Sequence, residues 1–261
     1  MDSTERELLA DTLRKVMSTE SGPTLDKALA ELGWSEMLGD HADVAIPLVF
    51  RLLGETGSHS SVINDVALSS SGDDLGTVVP LPFVGGRWVQ WSRDDVEPHD
   101  SLDPELPLCE VRGGADIPLA ETRIALGWWL IGASRAMLTL ACEHALQRTQ
   151  FGRPIAAFQA VRHRLAETLV AIEGAEATLA VADGDLGAQL AKAAAGRAAL
   201  ITSRHVQQVL GGIGFTAEHS FHRHARRVIM LDSMAGTSRE LTRDLGGRLR
   251  TTGDVPRLVD L

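Results

Sequence analysis

Two cysteines in 261 residues, Cys109 and Cys142, are too few for a disulfide framework and lack Cys-x-x-Cys metal spacing. Positive charge is short as well: 25 Lys and Arg face 35 Asp and Glu, a formal net charge of −10. That balance argues against a nucleic-acid binder, whose footprint is basic. A local basic run at 223–227 reads as a solvated face. The N-terminal stretch MDSTERELLADTLRKVM is acidic and amphipathic and lacks the apolar core of a secretion signal, so a cytoplasmic protein is expected. Residues 124–142 are apolar nearly all round, long enough for a membrane span. Arg123 and Arg135, with amphipathic helices following, point instead to a buried bundle helix and no membrane. His219, His222 and His224 crowd together, but only the first two share a helical face and no acidic ligand follows, so no metal is expected.

What is present is mostly helical periodicity. In 4–17, Leu9, Leu13 and Val16 share a face, with Ser3 or Thr4 as N-cap. A second helix is expected over 24–32, stopped by Gly33, and a third over 45–53, breaking at Gly54 and Gly57. The texture then changes. Residues 69–74 read as loop, and 77–84 and 87–91 read as strands joined by Gly85-Gly86, a two-residue hairpin signal. Residues 106–112 read as a third strand. So few strands cannot close a barrel and need a partner surface. From Pro118 onward, helices are expected over 124–142, 158–182, 186–210 and 237–250, a four-helix bundle. The chain thus divides into a helical layer at 1–57, a β segment at 58–117 and a bundle at 118–261, mainly α in class.

Arg148–Gln159 (RTQFGRPIAAFQ) is the stretch around which the rest is organised. A helix arrives at Arg148, Gly152 permits a reversal with positive φ, and Pro154 prevents the helix from continuing. Two cations and an amide gather beside free backbone N–H groups, chemistry suited to nucleotide phosphates. An arginine at a helix C-terminus also simply complements the dipole, so the local chemistry leaves both readings open. Gly211-Gly212-Ile213-Gly214 likewise fits a plain helix-ending loop, because no strand precedes it as in a dinucleotide fingerprint.

Three blocks in order resolve the choice. Residues 148–155 resemble the Arg-x-x-Phe-Gly-(Lys/Arg)-x-(Ile/Leu) turn of the acyl-CoA dehydrogenase family, with Gln159 following. Residues 208–215 are similar to that family's Gln-x-x-Gly-Gly-x-Gly-(Phe/Tyr) segment, and 235–238 occupy the place of its Glu-Gly-Thr-Ser. The resemblance covers roughly residue 118 to the C-terminus. It implies an acyl-CoA dehydrogenase-type bundle and FAD as cofactor. It makes Arg148 and Gln159 candidates for the pyrophosphate and adenosine part, Phe151 for an apolar wall, and Gln208, Gly211 and Gly212 for the cofactor's far end. The β segment, by the same comparison, has room for only about half of the family's β-domain.

The most consequential absence concerns proton transfer. Dehydrogenating an acyl-CoA needs a carboxylate to remove the α-proton while the flavin accepts a hydride. The two positions from which the family supplies that base are Ala235 and Thr122 here, so no catalytic residue is assigned. Glu121 is displaced by one residue and Asp232 by three. Retained clamp and lost base together resemble the smaller subunit of a heteromeric α2β2 acyl-CoA dehydrogenase of the actinobacterial steroid-catabolism type. The expected partner is a full-length acyl-CoA dehydrogenase-like chain, and the substrate a bulky CoA thioester whose pocket floor would involve Trp128 and Trp129. The alternatives are a self-sufficient homo-oligomeric enzyme with Glu121 or Asp232 as base, and a scaffold bundle that has lost FAD.

Overall fold

Leucines at helical spacing build the first layer. The computed structural model describes residues 3–94, 101–114 and 116–253. Helix α1 (Ser3–Met17) buries Leu13 and Met17, and α2 (Pro23–Glu31) buries Leu25 and Leu29. Thr4 lies inside α1, and the preceding cap position falls outside the described residues. A short α3 (Trp34–Asp40) that periodicity did not indicate follows Gly33 directly. Helix α4 (Ala42–Thr56) runs straight through Gly54 and ends only at Gly57, whose φ of 73° makes it the left-handed stop. Gly54 is therefore not a breaker but a contact. A Cβ there would lie 2.3 Å from the carbonyl oxygen of Trp129, and one on Gly132 would lie 2.0 Å from that of Arg51.

Helix α5 (Ile63–Ser71) contradicts the loop expected over 69–74, because its last turn uses Ser69–Ser71. The serines stay helical by bonding their hydroxyls back: Ser70 to the Val66 carbonyl at 2.9 Å and Ser71 to that of Ala67 at 3.2 Å. Strands β1 (Pro80–Phe83), β2 (Arg87–Trp91) and β3 (Leu108–Val111) form one antiparallel sheet in that order. Phe83 pairs with Arg87, so the hairpin connection is three residues, Val84-Gly85-Gly86, rather than two. The partner surface that so small a sheet needs comes from two sides. Trp91 packs against Trp129 with ring centroids 5.2 Å apart, and β1 is bridged along its free edge to Met234.

Helix α6 (Ala120–Gln147) is the axis of the molecule. Apolar and long enough to cross a membrane, it is a core helix instead: Leu126, Trp129, Leu130, Ile131 and Met137 are fully buried. A two-stranded ribbon, β4 (Thr149–Gln150) with β5 (Arg153–Pro154), reverses the chain into α7 (Gln159–Ala180). Helix α8 (Gly184–Leu210) packs on α6 and α7, and α10 (Ser238–Thr252) lies on α8, completing the bundle. Thr237 caps α10 reciprocally with Glu240, a capping box. One continuous core joins the helical layer, the sheet and the bundle.

Helix α9 (Phe221–Asp232) was not foreseen, since its sequence is dominated by Arg and His. Its apolar face, Phe221, Val228 and Leu231, is nonetheless buried. The basic run is not all solvated either. Arg227 is 3% exposed and bonds Asp103 at 2.5 Å, Glu105 at 3.1 Å, and the carbonyls of Gly57 and Ser58 at 3.2 and 3.1 Å. This buried hub ties α9 to both N-terminal segments. His59 and His224 lie in its field; burial first, then the Arg227 guanidinium, pushes each down to about 4. A histidine held neutral in the fold but titrating near 6.5 when unfolded stabilises above the unfolded value, and that stability is lost as pH falls from about 6.5 toward 4. Each should cost about 2 kcal/mol by about pH 5. Urea midpoints measured from pH 7 to 5 should fall accordingly, and a His59→Gln/His224→Gln variant should flatten the slope; a wild-type profile already flat would contradict this. Among the described residues no group of His, Cys, Asp and Glu could hold a metal ion.

Candidate functional site

The backbone of the ribbon turn is set by two left-handed residues. Gly152 has φ 77°, as its lack of a side chain permits, but Phe151 also has φ 53°. A bulky residue in that region is strained, and here the residue is 92% exposed. Phe158, at the end of the turn, meets Phe151 edge-on with centroids 6.1 Å apart and carries the Arg153 guanidinium 4.4 Å above its ring. Arg148 is the C-cap of α6; its N–H donates to the His144 carbonyl at 2.8 Å, and its carbonyl accepts from Ile155 at 2.8 Å. Its side chain is exposed and pairs with no carboxylate among the described residues. Gln159 is the first residue of α7, also exposed.

A groove of about 500 Å³ runs between this turn and the end of α8, walled by Phe151, Ile155, Phe158, Arg164, Gln208 and Val209, among others. Of the six expected cofactor residues, the structure places Phe151 and Gln208 in its wall. Arg148, Gln159, Gly211 and Gly212 flank that wall along the chain without lining it. The glycines open rather than fill. Gly211 adopts φ 61° and ψ −135°, and a Cβ on either Gly211 or Gly212 would meet nothing within 4 Å, so their backbone is free to be approached. Gly214 is different: a Cβ there would sit 2.6 Å from Gln207 Nε2, so its smallness serves packing. Arg164 was missed. The signal was its i+3 spacing from Val161, which puts both on one face of α7, but nothing in the periodicity said that face meets the turn.

Positions 122 and 235, the two expected sites of a catalytic base, lie elsewhere, at the junction of sheet and bundle. Thr122 is fully buried, and its Oγ1 has no hydrogen-bond partner. Ala235 is 1% exposed with φ 53°; its N–H donates to the Pro82 carbonyl at 2.8 Å and its carbonyl accepts from Arg123 Nε at 3.1 Å. Beneath it, the fully buried Lys192 donates to the carbonyls of Asp232 at 2.9 Å and Gly236 at 2.7 Å. Burial lowers the Lys192 ammonium to about 8. Asp232 is engaged too: it accepts from the Ser238 N–H at 3.0 Å and hydroxyl at 3.2 Å, with Lys192 Nζ 3.9 Å away. Glu121 points out to Ser70, whose single hydroxyl proton, already directed at the Val66 carbonyl, is shared with the Glu121 carboxylate at 3.0 Å. Neither acid stands free beside Ala235 or Thr122.

Residues 115–249, more than half of the chain, match the family model described as acyl-CoA dehydrogenase, C-terminal domain. Among curated relatives, acyl-CoA dehydrogenase IpdE2 of Mycobacterium tuberculosis is 32% identical over 66% of this chain and 57% of its own length. IpdE2 of Mycolicibacterium smegmatis is 27% identical over 93% of this chain and 98% of its own. In the first of these comparisons, then, the chain spans little more than half of the relative. Among solved structures, the Tcur3481-Tcur3483 steroid acyl-CoA dehydrogenase, G363A variant, superposes with a TM-score of 0.74 at 17% identity, covering 96% of this chain and 99% of the other. The ChsE4-ChsE5 complex from Mycobacterium tuberculosis gives 0.62 at 14% identity, covering 98% and 99%. At these identities the structural likeness speaks for the fold alone.

Proposed function

The chain belongs to the acyl-CoA dehydrogenase family, and on that footing we propose that it is the accessory subunit of a heteromeric, FAD-dependent acyl-CoA dehydrogenase. It grips the ADP half of a flavin whose ring and catalytic carboxylate are housed by a full-length partner chain in an α2β2 assembly. The substrate is a bulky CoA thioester of the steroid-derived kind; among solved structures of the same fold, two carry paired chain names and one of these is a steroid acyl-CoA dehydrogenase. The observation that carries the reading is the contrast between the two regions. Around the 148–159 turn there is an exposed arginine without an acid partner among the described residues, an aromatic-walled groove, and glycines open to approach. At the junction of sheet and bundle, a methyl and a hydroxyl stand buried where a proton acceptor is required.

The residues present fit a dinucleotide. Arg148 supplies a forked cation for phosphate, Gly211 and Gly212 admit close backbone approach, and Phe151 and Gln208 offer an apolar wall and an amide. When bound, the flavin supplies hydride acceptance; this chain's part is to bind and orient its nucleotide end. Neither Thr122 nor Ala235 can take a proton at neutral pH, and Asp232 is committed to pinning the start of α10, which counts against self-sufficiency. Trp129, wedged between Phe50 and Trp91 and fully buried, is core rather than pocket floor.

The purified single chain should show little flavin absorbance and no turnover, whereas co-expression with its full-length partner should restore both. Dehydrogenase activity in the single chain would refute the reading.

A further inference from the structure

One polar constellation on the groove is absorbed neither by packing nor by the six cofactor positions. Arg164, on the groove-facing side of α7, donates an N–H to His205 Nε2 at 3.1 Å. A guanidinium can only donate, so Nε2 must be the bare nitrogen of a neutral ring, and the ring proton sits on Nδ1. Nδ1–H then donates to Thr168 Oγ1 at 2.8 Å, and the Thr168 hydroxyl passes its own proton to the Arg164 carbonyl, also at 2.8 Å. The relay closes on itself: α7 supplies both ends and α8 the imidazole between. Burial and the adjacent guanidinium hold His205 below its ordinary value, consistent with that neutral tautomer.

An arginine is usually held by a carboxylate. The acid nearest to this one, Glu167, is 3.9 Å away and largely solvent-exposed, a pairing that water screens. Pinning by a neutral imidazole instead orients the fork without cancelling its charge. The groove into which it faces is otherwise mostly apolar and aromatic, with the uncharged amides of Gln150 and Gln208 also in its wall. Such a wall accepts a flat ring system and leaves one unneutralised cation for an anion attached to it.

Resting on the nucleotide grip proposed above, we infer that Arg164 is an additional phosphate-binding residue of this groove, with His205 and Thr168 as the positioning residues that aim it. The ligand class it reads is the phosphate of an adenine nucleotide rather than the base.

The test titrates the full-length chain with ADP and with adenosine, which lacks the anion. Arg164→Gln should weaken ADP binding about 10-fold, the loss of one charge-assisted hydrogen bond, and leave adenosine within about 2-fold. His205→Leu should reproduce several-fold of the ADP loss. His205→Gln, whose amide can accept from Arg164 and donate to Thr168, should recover it, which a role in packing alone would not produce. Thermal melts of each variant verify folding, and Arg164→Lys, which keeps charge without the fork, provides a second reading at intermediate affinity. If Arg164→Gln weakens ADP and adenosine equally, or neither, Arg164 does not read phosphate and the inference falls while the grip stands. If the wild-type chain binds neither probe, Arg164→Gln is read by the FAD content of the assembled enzyme instead: an unchanged content there overturns the inference, and if Arg148→Ala also leaves it unchanged, the grip itself is wrong and both fall.

Discussion

Arg148→Ala in the co-expressed enzyme should strip most of its FAD. The side chain is exposed at the end of α6, and among the described residues Arg148 is held through its backbone, so truncating it should leave the bundle intact. On the proposed grip, what goes is a bidentate donor to phosphate. Hydrogen bonds to charged groups are each worth about 1.5–3 kcal/mol, so losing two should raise the FAD dissociation constant roughly 100-fold or more. Arg148→Lys should recover part of that, because a point charge survives without the planar fork. The measurement is the ratio of 450 nm to protein absorbance after gel filtration, with turnover scaling to bound flavin. An unchanged flavin content would favour a bundle that serves as scaffold and no longer touches the cofactor.

Gly132→Ala should be among the most damaging single substitutions in the chain. Helices α4 and α6 meet backbone to backbone at Gly54 and Gly132, and the added methyl would stand 2.0 Å from the Arg51 carbonyl oxygen. No side chain can swing away, so the helices must part. That loosens the Phe50–Trp129 contact, now 5.6 Å between centroids, which links to Trp34 on one side and Trp91 on the other. Overpacking a filled core costs about 1–3 kcal/mol and at times more; backbone contact places this case at about 3 or above, even after the roughly 1 kcal/mol helix-propensity gain of Gly to Ala. A melting temperature lower by about 6–12 °C is expected. Gly54→Ala should act similarly, and the double variant should cost less than the sum, since one separation accommodates both methyls. Gly174→Ala is the contrasting control. That helical glycine has nothing within 4 Å of a Cβ, so the change should stabilise by about 0.5–1 kcal/mol. Equal behaviour of Gly132 and Gly174 would disprove the close crossing.

Much of the architecture was legible because it depends on local rules. The spacing of Leu9, Leu13 and Val16, the stop at Gly33, the Gly152 turn, Thr237 at the head of α10 and the unbroken apolar character of α6 are each governed by residues within a few positions of one another. The candidate clamp was legible for a different reason: three short blocks keep their order and spacing, and their chemistry is carried by the residue types themselves.

The amino-acid sequence alone determined the bundle, the phosphate-suited turn, and the want of a carboxylate at 122 and 235. Tertiary structure decided what those residues face. Whether Gly54 ends a helix or admits another depends on where Trp129 passes; whether Arg227 is solvated depends on Asp103, far away in the chain. Likewise, the bonding of Asp232 to Ser238 at the start of α10, and Arg164 as part of the groove, follow from contacts between separate elements. Periodicity reports which face of an element is apolar. It carries no information about which other element will cover that face, because the energy of burial is indifferent to the partner's position along the chain.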